Sequence, residues 1–361
     1  MSADEPGEVR FPPELMAAAK PDEPQAEATP AWAGSHSPPP PEEVRPIPRP
    51  RPEADDGIRI GLWGSPTSGK TTFLGALRLA ALDPGGSYGR WQVVAADDVS
   101  EAFLVETSRE LAINKQFPAA TQDSGQLSWL FRGDLTGTRY AKRGFRRSRA
   151  TNRMDFELSV LDVPGGAYED MHRHAEAERS TDHLARSAGL IYLFDPMREA
   201  VDGDSFAYLN GTLARLTRRC MDKQRLDGPY LPHHIAVCVT KFDDPEVFER
   251  ARRGGWTELG PQGTPVVPDP EGFFDWLAAD LHGSSMRLIG RAIRASFHPS
   301  RIHFFATSAV GFGTLPGGGV DLRHFGNVNQ VDGRPQILGP ISPHNVMDPV
   351  IALLLGIRKR G

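Results

Sequence analysis

Apolar residues along the chain come in short runs that alternate between two periods. Ile58-Arg59-Ile60-Gly61-Leu62-Trp63 is a near-continuous apolar run and predicts a buried strand. Phe73, Leu74, Leu77 and Ala81 then recur at helical spacing through Leu82. The same reading predicts a helix over Val99–Phe117, strands at Leu127–Phe131 and Met154–Leu161, and a helix over Tyr168–Arg186. A strand at Gly189–Phe194, a helix over Phe206–Arg225 and a strand at Ile235–Val239 follow. Two helices, Gly272–Leu281 and Ser285–Ser296, precede a last strand at Ile302–Ala306 and a final helix from Val346. Residues 254–270, rich in glycine and proline, read as an insertion, and 311–345 read as irregular. Strands that are apolar throughout, separated by helices, predict an α/β domain of three layers with a mostly parallel sheet covered on both faces.

Before Ile58 the pattern disappears. Residues 1–56 hold 14 of the 32 prolines and no periodic apolar face, so they are expected to form a disordered, proline-rich tail. The expected organisation is this tail, a domain over 57–312 with insertions, and an irregular segment over 313–361 whose terminal helix packs on the domain. A net charge of −5 gives no global case for binding nucleic acid or an anionic membrane. Two cysteines, Cys220 and Cys238, form neither a disulfide framework nor a metal-type spacing, and a reducing cytoplasm is the natural setting. No apolar run approaches the roughly 18 residues of a membrane span.

The strands predict where chemistry should lie, because ligands of parallel sheets gather at the carboxyl ends of strands. Gly64-Ser65-Pro66-Thr67-Ser68-Gly69-Lys70-Thr71 follows the first strand and opens the first helix, and it fits G-x-x-x-x-G-K-[ST] at every fixed position. Glycines let main-chain amides curl around phosphate oxygens, the helix N-terminus adds partial positive charge, Lys70 supplies an ammonium group and the Thr71 hydroxyl a ligand for Mg²⁺. Gly64, Ser65, Thr67, Ser68, Gly69, Lys70, Thr71 and Thr72 are thus the expected phosphate-binding residues, although Pro66 has no N–H to give. Asp162-Val163-Pro164-Gly165 ends an apolar strand as D-x-x-G: Asp162 is expected at the metal and the Gly165 amide at a γ-phosphate. A threonine between the first helix and this strand would complete the metal shell. Thr121 is the candidate, with Thr107, Thr136 and Thr138 as competitors. Thr240-Lys241-Phe242-Asp243 places T-K-x-D after another strand. There Asp243 would accept two hydrogen bonds from a guanine edge that adenine cannot match, and the Lys241 stem would lie over the ring. Thr307-Ser308-Ala309 follows the last strand, with Ser308 and the Ala309 amide placed for the guanine carbonyl.

These four motifs, in this order, resemble the Ras-like, translation-factor-related class of P-loop GTPases over residues 58–312, and the D-V-P-G-G segment with its large inserts looks like the bacterial double-GTPase group. The resemblance implies a domain that binds GTP or GDP with Mg²⁺, hydrolyses GTP as a molecular switch, and works beside a protein partner or activator that can be a second GTPase. Lys70, Thr121 and Gly165 would then be the catalytic set. Two departures stand out. Thr240 replaces the usual asparagine, and Gly166 stands where a glutamine often orients the attacking water, so unaided hydrolysis is expected to be slow. Tyr168, Glu169, Asp170, His172 and His174 are the nearby polar groups. A nucleotide-binding module with little turnover and an ATP-using P-loop enzyme are the competing readings.

Seven basic residues crowd positions 139–153 with no acid among them. Such a stretch reads first as a solvated hairpin tip and second as a docking site for an acidic partner, a membrane or nucleic acid.

Overall fold

A computed structural model describes residues 58–82, 88–119, 125–141, 152–162, 171–260, 263–281, 285–315 and 319–359. The tail expected over 1–56 lies outside them. The strands are β1 (Ile58–Gly64), β2 (Arg90–Ala95), β3 (Gly125–Asp134), β4 (Arg153–Asp162), β5 (Gly189–Phe194), β6 (His234–Val239), β7 (Glu258–Leu259), β8 (Pro265–Val266), β9 (Ile302–Ala306), β10 (Val328–Val331) and β11 (Arg334–Ile337). Seven of them form one sheet in the order β2-β3-β4-β1-β5-β6-β9. The pairings β4–β1, β1–β5, β5–β6 and β6–β9 are parallel, whereas β2–β3 and β3–β4 are antiparallel.

Nine helices occur among the described residues: α1 (Lys70–Leu82), α2 (Asp98–Arg109), α3 (Met171–Arg186), α4 (Pro196–Asp202), α5 (Ser205–Asp222), α6 (Pro245–Arg253), α7 (Pro270–Asp280), α8 (Met286–Ser296) and α9 (Met347–Arg358). Because side chains alternate across a strand, each central strand feeds both faces of the sheet. Trp63, Tyr192, Phe194, Val237 and Val239 pack with Leu213 and Leu216 of α5, Phe274 of α7 and Ile289 of α8. Ile60, Leu62, Ile191, Leu193 and Cys238 pack on the other side with Phe73 and Leu77 of α1, Leu104 of α2 and Ile351 of α9. Two cores separated by one sheet make the three layers that the apolar pattern predicted. No helix of the described residues is long and apolar enough to cross a membrane.

Several elements escaped the periodicity. β2 is an edge strand with only Trp91 buried, so half of it reads as polar surface. α4, α6 and α7 all begin with Asp-Pro. The carboxylates of Asp195, Asp244 and Asp269 accept amides of the first turn, and the proline takes a position whose N–H would have no acceptor. The first two of these helices, of 7 and 9 residues, are too short to show a helical period in the sequence. The helix expected over Val99–Phe117 ends as α at Arg109, widens into a π turn over Glu110–Asn114, and stops at Lys115 in the left-handed region. Residues 311–345 are not all irregular: Asp332-Gly333, both at positive φ, close the β10–β11 hairpin.

Glu199 is a carboxylate only 1% exposed that caps two helices other than its own. It accepts the Ser205 amide at 3.0 Å, the Ser285 amide at 2.8 Å and the Ser285 hydroxyl at 2.5 Å. Neither Asp204 nor Ser285, the residues at the cap positions of α5 and α8, makes a side-chain cap bond of its own. An anion at two helix N-termini is stabilised by amide dipoles in place of a cation. Glu199→Ala strands those donors, and a loss of about 2–4 kcal/mol in urea unfolding is expected, with Glu199→Gln losing less than half of that.

Candidate functional site

Parallel pairing sets the loops that follow β1, β5, β6 and β9 side by side at one edge of the sheet. Gly64 lies opposite Leu193, and Val239 lies opposite both Phe194 and Ala306. Neighbouring strands are about 4.8 Å apart, so the loop after β1 and the loop after β6, two strands away, emerge about 10 Å from each other. That span is within reach of one nucleotide-sized ligand.

The turn Gly64–Gly69 is shaped by two left-handed residues, Thr67 at φ 59° and Gly69 at φ 90°. A Cβ on Gly64 would stand 2.5 Å from the Ser68 hydroxyl and 2.6 Å from the Leu193 carbonyl, so only glycine lets the turn close on β5. Lys70 reaches back over the loop, and its Nζ donates to the carbonyls of Gly64 and Ser65 at 3.1 Å each. The Ser68 amide closes on the Ser65 carbonyl at 3.2 Å, and the Phe73 amide on the Gly69 carbonyl at 2.8 Å. The hydroxyls of Ser65 and Ser68 are buried without a hydrogen-bond partner. Thr71 and Thr72, half-buried in the first turn of α1, add amides with no helical acceptor. Buried polar atoms are nearly always satisfied, and a ring of orphaned donors around an ammonium group is chemically a cradle for an anion.

Asp162 is the last residue of β4. It lies three positions beyond the Ser159–Gly61 pair, as Gly64 does on β1, and only its main chain is described. Thr121 and Gly165 lie outside the described residues, as does Gly166. The competing threonines are placed away from the edge. Thr107 is buried in α2 against Gly75 of α1. The hydroxyls of Thr136 and Thr138 bond to Asp134 and Leu135 just past β3, whose last residue pairs with the first of β4.

At the loops after β6 and β9 the sequence candidates converge. Lys241 is left-handed at φ 56°, a turn held by the Asp244 amide on the Lys241 carbonyl at 2.8 Å and the Phe242 amide on the Thr307 carbonyl at 3.0 Å. Asp243 is 6% exposed. Burial pushes its carboxyl up to about 6, although the hydrogen bond from Ser308 pulls it down. Ser308 in turn exchanges main-chain bonds with His344 at 2.8 and 3.0 Å and accepts the Gly311 amide at 2.8 Å. Ala309 follows, half-buried. Asn345 donates to the Ala306 carbonyl at 3.1 Å. The segment around His344, read in sequence as irregular, is therefore a wall of the candidate site, and no local pattern announced it.

Asp195 is another residue the motifs missed. It follows β5, between the loop after β1 and the loop after β6, and its carboxylate meets Lys241 Nζ at 2.5 Å. Its Asp-Pro pair was a legible cap signal, but the ion pair depends on a residue 46 positions away in a different loop. Compared with known proteins, the chain matches no family model and no curated protein.

The burial of Asp243 carries a testable cost. Its carboxyl is raised in the fold to about 6, above the ordinary aspartate range, so the charged form is penalised and stability falls as pH rises from about 4 to 6. Two units correspond to roughly 3 kcal/mol. Asp243→Asn is expected to unfold roughly 2–3 kcal/mol later than the wild type in urea at pH 7.5, with the gap closing near pH 4.

Proposed function

We propose that the chain is a P-loop nucleotide-binding protein that takes a nucleoside triphosphate across the carboxyl edge of its sheet. Within that class, the reading is a guanine-nucleotide switch that hydrolyses GTP to GDP. What supports it most is one juxtaposition. An anion cradle, formed by the Gly64–Thr72 turn with Lys70 folded over it, shares one sheet edge with a buried carboxylate two strands away. The cradle suits the phosphates. Asp243 suits the two N–H groups of a guanine edge, and an adenine there would leave the carboxylate buried and unmatched. Ser308, bonded to Asp243, and the following Ala309 amide would meet the guanine carbonyl.

Mg²⁺ fits the oxygen donors available, the Thr71 hydroxyl and the Asp162 carboxylate, which would hold it beside the phosphates. Bound there, the ion neutralises charge on the transferring phosphoryl group. Lys70, released from the Gly64 and Ser65 carbonyls, would bridge the outer phosphates. Thr121 and Gly165 belong to the proposal as the switch contacts to metal and γ-phosphate. With Gly166 bearing no side chain, the attacking water lacks a local amide, and a protein partner, including a second GTPase, is the proposed source of stimulation.

Competition of GTP against ATP for the purified protein with Mg²⁺ tests the reading directly: GTP is expected to win, and equal or preferential ATP binding overturns it. Lys70→Ala is expected to lower GTP affinity about 10- to 100-fold. Asp243→Asn is expected to shift preference toward xanthine nucleotides. Because a guanine needs the charged carboxylate, GDP affinity is expected to fall about tenfold from pH 7 to 5, following a group raised to about 6. The residual binding of Asp243→Ala, measured by calorimetry, should lack that loss.

A further inference from the structure

The ion pair between Asp195 and Lys241 joins two loops that no motif connects. One oxygen of Asp195 is already committed: Oδ1 accepts the amides of Met197 at 3.0 Å and Arg198 at 3.1 Å, which fixes the side chain at the start of α4. The other oxygen faces Lys241 Nζ at 2.5 Å, with the carboxylate side chain 1% and the lysine 48% exposed. A carboxylate this dry, held at two points, is a rigid anchor, whereas the lysine stem remains accessible from the ligand edge. Lys241 reaches it because its left-handed turn directs the side chain back from the end of β6 toward β5.

Thr240 gives the second half of the argument. Its hydroxyl donates to the Phe194 carbonyl at 3.1 Å and its amide to the same carbonyl at 2.8 Å. The residue in the asparagine position is thus spent on β5, one residue before Asp195. Two successive residues of the base-side loop, Thr240 and Lys241, are therefore tied to two successive residues at the end of β5, Phe194 and Asp195.

Resting on the guanine-nucleotide reading above, we propose that Asp195 is a positioning residue for purine recognition. It holds the Lys241 ammonium at the end of β5, so that the lysine stem spans the gap between β5 and β6 as a preformed wall for the face of the base. A lysine free in solvent would lose its rotamer freedom when the base arrives. Here that ordering has taken place before binding, which corresponds to about tenfold in affinity.

The test uses the full chain with Mg²⁺ and GDP in calorimetry, and GTP in steady-state turnover. Asp195→Asn keeps an acceptor for the α4 amides and removes the charge. The GDP dissociation constant is expected to rise about tenfold, with the loss in turnover falling on KM rather than on kcat. Lys241→Met is expected to weaken GDP binding by itself, and the double variant to be no weaker than Lys241→Met alone, because both changes break one interaction. Asp195→Glu, which retains the charge, is expected to recover part of the affinity. An Asp195→Asn protein that binds GDP as the wild type does overturns the proposal, as does a loss that adds in full to that of Lys241→Met. In either case wild-type binding of GDP leaves the guanine reading standing. A wild-type chain that binds no GDP overturns both.

Discussion

Hydrogen bonds between β1, β5, β6 and β9 all run between strands pointing the same way, and the candidate site is a consequence of that direction. Parallel pairing demands that each strand be followed by a crossover, so every loop that leaves a carboxyl end leaves at the same edge. The phosphate-side turn after Gly64, Asp195 after Phe194, Thr240–Asp243 after Val239 and Ser308 after Ala306 are separated by as many as 242 positions in the chain, yet they emerge in one row. Beyond β4 the sheet continues with β3, which runs against its neighbours, so the start of β3 at Gly125 lies opposite Asp162 at the end of β4 and on the same edge.

Charge at this edge is held by dipoles and by partners in other loops. Asp195 is fixed by two amides and one ammonium group, Glu199 by two helix N-termini, and Asp243 by the Ser308 hydroxyl. Asp243 has the fewest partners of the three, and burial pushes its carboxyl up. A carboxylate left poorly satisfied in a dry pocket lowers the stability of the free protein, and it is the kind of group whose hydrogen-bonding capacity a ligand can complete. The orphaned hydroxyls of Ser65 and Ser68 have the same character on the phosphate side.

The C-terminal segment makes the loop after β9 a composite. His344 and Asn345 pin the Ala306–Ser308 turn, and Gly311 passes so close to Ser342 that a Cβ on it would meet the Ser342 carbonyl. From Asn345 the chain enters α9, whose Val350 and Ile351 are fully buried against the sheet. Docking this helix and shaping the loop after β9 are thus one structural event.

By itself, the sequence determined whatever depends on near neighbours. Local spacing placed the central strands, because an apolar run buried on both faces has no other period, and it identified G-x-x-x-x-G-K-T, since glycine at a left-handed or crowded position and lysine at a helix start act within eight residues. Asp-Pro pairs mark the starts of three helices in the same local terms; periodicity identified one of them, α7, and missed the two shorter ones. Tertiary structure alone decided which loops share an edge. It also decided that Asp243 is buried beside Ser308, that Lys241 belongs to Asp195, and that the apparently irregular residues around His344 brace the loop after β9. Each of these rests on strand pairing or on burial between segments far apart in the chain, and the free energy of such contacts depends on distances that spacing along a sequence does not encode.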